Sequence, residues 1–231
     1  MSVARSFRAL ELYDVLANLV PGAVVLLALS AIFRVETYLQ FSTGAIAAGT
    51  FLVSALVLGH IIQLIASELD GTPTLFGDVI QATRDGDTDE LPIAVTHVEE
   101  AIWPLMQRKF SLPAEFNDYG VLFRLLLSYI ETTPATRALR FQALHSFHRS
   151  MWAVGYVTAV LTLSSLLLKC TGWIAVRSWL VLGLTLTGSL AGIWVFKRRK
   201  NKMNKRFIQY AIADFYSDQV KEFNRGVERG S

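Results

Sequence analysis

Four stretches of this chain carry no Asp, Glu, Lys or Arg, and they constrain it more than any motif does. Residues 15–33, 150–168 and 178–196 are each 19 residues long, and residues 37–67 form a longer stretch whose apolar part begins near Phe41. A helix needs roughly 20 mostly apolar residues to cross the hydrocarbon layer of a bilayer. Lipid offers no hydrogen bonds, so each stretch is expected to pair its backbone internally as a helix. The polar/apolar alternation of a membrane barrel is absent. Composition agrees: 18% of the residues are charged and 52% hydrophobic, against about 25% charged in an ordinary soluble domain. The single cysteine, Cys170, excludes an internal disulfide and a cysteine-based zinc site.

The expected fold class is therefore all-α: an integral membrane protein with four transmembrane helices and a helical cytoplasmic domain. Residues 1–69 hold an N-terminal amphipathic turn and the first two transmembrane helices. Residues 70–149 form the helical cytoplasmic domain, 150–196 the third and fourth transmembrane helices, and 197–231 a basic cytoplasmic C-terminal helix. Orientation follows from the cations. Nineteen Lys and Arg lie in 1–14, 68–149 and 197–231, and three in the two short connectors. Positive charge stays on the cytoplasmic side, which puts both termini there. The run KRRKNKMNKR at 197–206 carries most of that argument, because the middle segment exceeds the loop lengths the rule covers. Arg5, Arg8 and the small residues at Ala28-Leu29-Ser30 resemble a signal peptide, but Glu11 and Asp14 in its basic region argue for a retained helix.

Within this frame, Phe7, Leu10 and Tyr13 against Arg5, Arg8 and Glu11 predict an interfacial amphipathic turn. Pro21-Gly22 predicts a kink or break in the first span, with a gating hinge as its functional reading and a packing kink as its plain one. The second span is rich in Gly and Ala, and the fourth carries Gly188 and Gly192 four apart. Such residues let helices approach closely, either within one chain or between copies. Cytoplasmic helices are expected near 74–84, 94–109, 119–131 and from 135 onward. The last of these meets no Gly or Pro before Gly155, so it should run unbroken into the third span. The fourth span should likewise continue into a tail helix ending near 224–226. The apolar stripe of that tail (Phe207, Ile208, Ala211, Ile212, Phe215, Tyr216, Phe223) should pack on the middle segment or on another subunit.

The chemistry-bearing residues are few. The acidic run at 85–90 lacks the glycine and glutamate of a calcium loop at the sixth and twelfth positions, where Glu90 and Thr96 stand. His145 and His148 share a helix side without a third ligand, so no metal site is expected. No nucleophile elbow, phosphate loop or dinucleotide fingerprint occurs, and neither an enzyme nor a cofactor is expected. Two constellations remain. His60, Gln63 and Ser67 make one polar stripe inside the second span, at the depth of Asn18 in the first. In lipid such groups bond across helices or line a water-filled path, so Asn18, Pro21, His60, Gln63 and Ser67 are the candidate pore or gate residues. On the last cytoplasmic helix Arg137, Arg140, His145, His148 and Arg149 fall within about half of the circumference. They either anchor the chain beside anionic lipid or bind a phosphate-bearing ligand, a nucleotide or single-stranded oligonucleotide, for which arginine forks are suited.

Three stretches carry a resemblance: Glu11-Leu12-Tyr13-Asp14 with Val20-Pro21-Gly22, then Gly59-His60-Ile61-Ile62-Gln63, then the decapeptide from Arg140 to Arg149. Together they resemble the small four-span bacterial membrane proteins of anti-phage defence operons, in particular the membrane effectors of Hailong-type systems. The resemblance implies a homo-oligomer in the bacterial inner membrane, a tetramer being favoured. It implies a ligand-controlled channel or pore that disrupts that membrane, and an operon partner of the nucleotidyltransferase type. The alternative is a non-conducting anchor or scaffold that docks a cytosolic partner. A coupled transporter is disfavoured, because no inverted repeat and no charged residue within a span is present.

Overall fold

The computed structural model describes residues 15–33, 44–70, 74–86, 99–132, 136–171 and 178–230. The expected amphipathic turn before residue 15, the segment 87–98 with His97, the connector after residue 33 and residues 172–177 of the second connector lie outside these residues. Among the described residues nearly all are helical, the longest non-helical segment being 110–118, and no strand occurs. A π-helical turn at Val15–Leu19 leads into α1 (Val20–Ile32). There follow α2 (Ala45–Asp70), α3 (Thr74–Asp85), α4 (Glu99–Lys109), α5 (Tyr119–Thr132), α6 (Thr136–Thr171) and α7 (Trp179–Gly230). The two long helices run without interruption: 36 residues in α6 and 52 in α7, about 54 and 78 Å at 1.5 Å per residue. The tail helix passes the expected stop at 224–226, because a single interior glycine costs only about 1 kcal/mol.

Three helices, α2, α6 and α7, each contain a window long and apolar enough to cross a membrane. By length and composition this is a multi-pass membrane protein. The first charge-free stretch forms a shorter apolar helix, Ala17–Ile32. Pro21 does not break it. The proline stands in the first turn of α1, where its missing N–H is not needed, and the irregularity is displaced into the π-helical turn before it.

The chain forms two compact units. One comprises residues 72–142 and 203–231, the other 2–71 and 143–202. The first unit is built on amphipathic helices. Val79 and Ile80 of α3, Met106 of α4 and Leu122, Leu126 and Ile130 of α5 are buried, with the last three spaced along one helix face. Against them pack Phe207, Ile208, Ala211, Ile212 and Phe215 of α7. The apolar tail stripe therefore closes on the middle segment of its own chain. Polar groups pin the edges. Arg84 donates to the carbonyls of Phe116 (3.0 Å) and Ala114 (3.2 Å) and lies 5.3 Å from the Trp103 ring centre. Asp118 caps α5 by accepting from the Val121 N–H at 2.9 Å. Tyr129 donates its hydroxyl proton to Asp218 and accepts from Gln219 at 2.9 Å.

The second unit is held by close backbone approach. A Cβ on Gly22 would lie 1.7 Å from the Ala55 carbonyl oxygen, and one on Gly59 would lie 1.8 Å from that of Asn18. The small residues at these points let α1 and the π-helical turn lie directly on α2. Gly155 does the same for α6 and α7, where its Cβ would meet Ile193 at 2.7 Å. Val25, Ile62, Ala66, Ala153 and Val154 form one buried apolar cluster, and Ile32 with Leu182 another. Among the described residues, a Cβ on Gly188 or Gly192 would meet nothing within 4 Å.

Two outcomes follow. Gly59→Leu should destabilise the purified protein by at least about 3 kcal/mol, the upper range of overpacking, because backbone rather than a movable side chain stands in the way. Gly188→Ala should change stability by less than about 0.5 kcal/mol; unfolding titrations in mixed micelles measure both. Burial and the Asp218 carboxylate raise the Tyr129 hydroxyl above its ordinary value near 10. That contribution is complete below pH 10 and is lost as the pH rises beyond it. Tyr129→Phe should therefore flatten the alkaline fall in thermal stability.

Candidate functional site

The second unit contains a charge cluster that joins three helices. Asp70 is the last residue of α2, His145 lies in α6 ahead of the charge-free stretch 150–168, and Lys200 lies in α7 just past 178–196. The Lys200 ammonium donates to Asp70 Oδ1 and sits 4.6 Å from the centre of the Trp152 ring. The other Asp70 oxygen faces His145 Nε2 at 3.9 Å. All three side chains are largely buried. Burial, reinforced by the Arg149 cation, holds the His145 imidazole down at about 4, and the smaller pull of Asp70 does not reverse this. At neutral pH His145 is uncharged, Lys200 alone balances Asp70, and the 3.9 Å contact is no ion pair. The sign of the linkage follows: the His145 contribution is intact above pH 6.5 and is lost as the pH falls towards 4.

The polar stripe of α2 lies on a different face. His60 and Ser67 are exposed and Gln63 is half-buried. His60 Nδ1 donates to the Leu56 carbonyl at 2.9 Å, and the Ser67 hydroxyl donates to the Leu64 carbonyl at 2.7 Å. Both therefore bond to their own helix rather than across to a neighbour. With Leu64 and Arg149 they line a groove of about 300 Å3. Asn18 and Pro21 are instead buried. The Asn18 carbonyl touches Gly59, next to His60, as the matched depths predict. The five pore or gate candidates thus divide into a buried pair and an exposed stripe.

The five candidate ligand residues divide as well. Arg137 and Arg140 are exposed in the first unit. His145 faces Asp70, His148 lies 5.9 Å from the Phe196 ring centre, and Arg149 enters the His60 groove. Helical spacing placed them on one half of α6, but neighbours on both sides of the helix divide that half between them. No group of three or more His, Cys, Asp or Glu that could hold a metal occurs among the described residues.

Asp70 and Lys200 were not singled out by sequence, Asp70 being one of an acidic half-segment and Lys200 one of a basic run. A signal existed for the lysine. Lys200, Met203, Phe207 and Ala211 follow one another at helical spacing, so the buried stripe of the tail extended by one turn falls on a cation. A buried cation requires a partner. The chain matches no known family model, no curated protein and no solved structure.

Removing one partner of a buried ion pair costs about 3–5 kcal/mol, because the other charge is left uncompensated. Asp70→Asn and Lys200→Met should each lose stability in that range, while the exchange Asp70→Lys with Lys200→Asp should recover at least half of it. A double-mutant cycle on denaturation midpoints reads the coupling, and strictly additive losses would contradict the pairing.

Proposed function

We propose that this chain is a four-span protein of the bacterial inner membrane, with both termini cytoplasmic. In this reading copies assemble as a homo-oligomer, a tetramer being favoured, into a ligand-controlled channel of an anti-phage defence system. The first unit is its cytoplasmic domain, and α1 with the residues before it supplies the fourth span. The observation that carries the reading is the continuity of α6 and α7. Each is a single helix from residues packed in the first unit to residues of the charge-free stretches. A ligand that shifts α6 at its exposed Arg137 and Arg140 therefore strains the same rod that crosses the lipid. Control by a ligand requires unequal affinity for conducting and non-conducting forms, and a continuous rod is a physical means of obtaining it.

Further support comes from the hairpin of α1 and α2. It is held by backbone contact at Gly22 and Gly59, and His60 and Ser67 are exposed on a largely apolar helix. Polar groups at that depth face water or protein in stable membrane assemblies. Packing of several copies around an axis supplies both. The Gly188 and Gly192 face of α7, open among the described residues, suits such a contact between copies. The resemblance of the three sequence stretches to defence-operon membrane proteins gives the biological setting, with a nucleotide or oligonucleotide made by a neighbouring nucleotidyltransferase as the ligand class.

The test is electrical. The full chain in liposomes of bacterial lipid should dissipate an imposed potential, and its overproduction should depolarise cells. Addition of nucleotide or short single-stranded DNA should change the conductance in liposomes. A chain that leaves the potential intact with and without these probes, and that stays monomeric by mass photometry, is the anchor or scaffold instead.

A further inference from the structure

The groove beside His60 contains a cation. Arg149 lines it with His60, Gln63, Leu64 and Ser67, and among the described residues no carboxylate does. The Arg149 Nε is buried without a hydrogen-bond partner among the described residues. A half-buried guanidinium with an unmet donor is a site for an anion, because charge-assisted hydrogen bonds to a phosphate or carboxylate are the strong ones. The groove opens onto an apolar flank: Val57, Ile61 and Leu64 are exposed on the same helix, Leu64 at 64%. Apolar surface continuous with a cation at the end of a membrane helix fits an amphiphile, with its phosphate at Arg149 and its chain along α2.

The remaining groups narrow the headgroup. His60 Nδ1 spends its proton on the Leu56 carbonyl, and in the tautomer that carries its proton there Nε2 is an acceptor. The Ser67 hydroxyl spends its proton on the Leu64 carbonyl, which leaves its oxygen lone pairs as acceptors too. Arg149 donates, and His60 Nε2 and Ser67 Oγ accept. A matching ligand carries an anionic phosphate and, beside it, an O–H or N–H donor.

We propose that this groove binds one phospholipid whose headgroup bears hydrogen-bond donors, glycerol or ethanolamine, in preference to choline. Arg149 holds the phosphate, His60 Nε2 and Ser67 Oγ accept from the headgroup, and Leu64, Ile61 and Val57 carry an acyl chain. The proposal goes beyond the channel reading and is measured without any flux. It bears on that reading in one respect: a bound headgroup screens the His60 face from water, so the lipid must leave before that face lines a conduit.

The experiment is native mass spectrometry of the full chain released from nanodiscs of defined lipid. Phosphatidylglycerol or phosphatidylethanolamine should stay bound at one per chain, and phosphatidylcholine of the same chain length should be retained about tenfold less, as loss of a charge-neighbouring hydrogen bond implies. Arg149→Gln should abolish retention. Leu64→Trp, which fills the groove while leaving every charge in place, should abolish it as well and guards against a folding defect in the arginine variant. Glycerol phosphate, which has the headgroup chemistry without the chains, should not displace the lipid at millimolar concentration. Equal retention of the choline lipid, retention by Leu64→Trp, or displacement by glycerol phosphate would each overturn the proposal. Loss of conductance with lipid binding intact would count against the channel alone.

Discussion

Hydrocarbon supplies neither hydrogen bonds nor counterions, and the second unit is arranged around that lack. Backbone groups are paired within helices. Thr162 and Ser165 bond to carbonyls one turn back, at Thr158 and Leu161. Of the cations in the helix packing, Lys200 brings Asp70 with it and rests on the face of Trp152, while Arg149 keeps a buried Nε without a hydrogen-bond partner among the described residues. Around these groups the helices meet through their smallest residues, because apolar side chains gain nothing by leaving lipid for one another. Close approach at Gly22, Gly59 and Gly155 replaces the hydrophobic core that holds the first unit.

The first unit follows the opposite rule. It buries aromatic and aliphatic side chains in the manner of a soluble domain, with Phe110 stacked on Phe215 at 5.8 Å and Phe141 on Tyr210 at 4.7 Å. Its charged groups sit at the rim, as in the pair between Lys109 and Glu222, where they contribute little. One chain thus contains two packing regimes, and α6 and α7 belong to both. A helix that is amphipathic along part of its length and apolar along the rest needs no sequence punctuation at the change, and neither helix has any.

Much of this was legible in the residues. Charge-free stretches set the apolar helices, and the period of Phe207, Ile208, Ala211, Ile212 and Phe215 set the buried face of the tail. The absence of Gly and Pro between residues 135 and 155 set the continuity of α6. What periodicity did not deliver was the partner of each face. The arginines and histidines from 137 to 149 share one side of an ideal helix, yet three different neighbours divide them, because a side half a circumference wide is wider than any one contact. Asp70 and Lys200 are 130 positions apart, and nothing local distinguishes them from the charges beside them. Pro21 was legible as a backbone constraint but not as a helix start, since its effect depends on where the first regular turn begins.

The central claim is that the chain threads a bilayer with its basic tail and its middle segment on one side. The most direct measurement uses Cys170, which is the chain's single cysteine and is exposed. It lies at the end of α6, after the third apolar stretch, which the proposed topology puts on the side opposite both termini. A membrane-impermeant maleimide added to intact cells should label the native chain there. A Cys170→Ser chain carrying Gly120→Cys or Ser231→Cys should be labelled only after the inner membrane is opened. Labelling of either introduced cysteine in intact cells, or protection of Cys170 until lysis, would contradict the account.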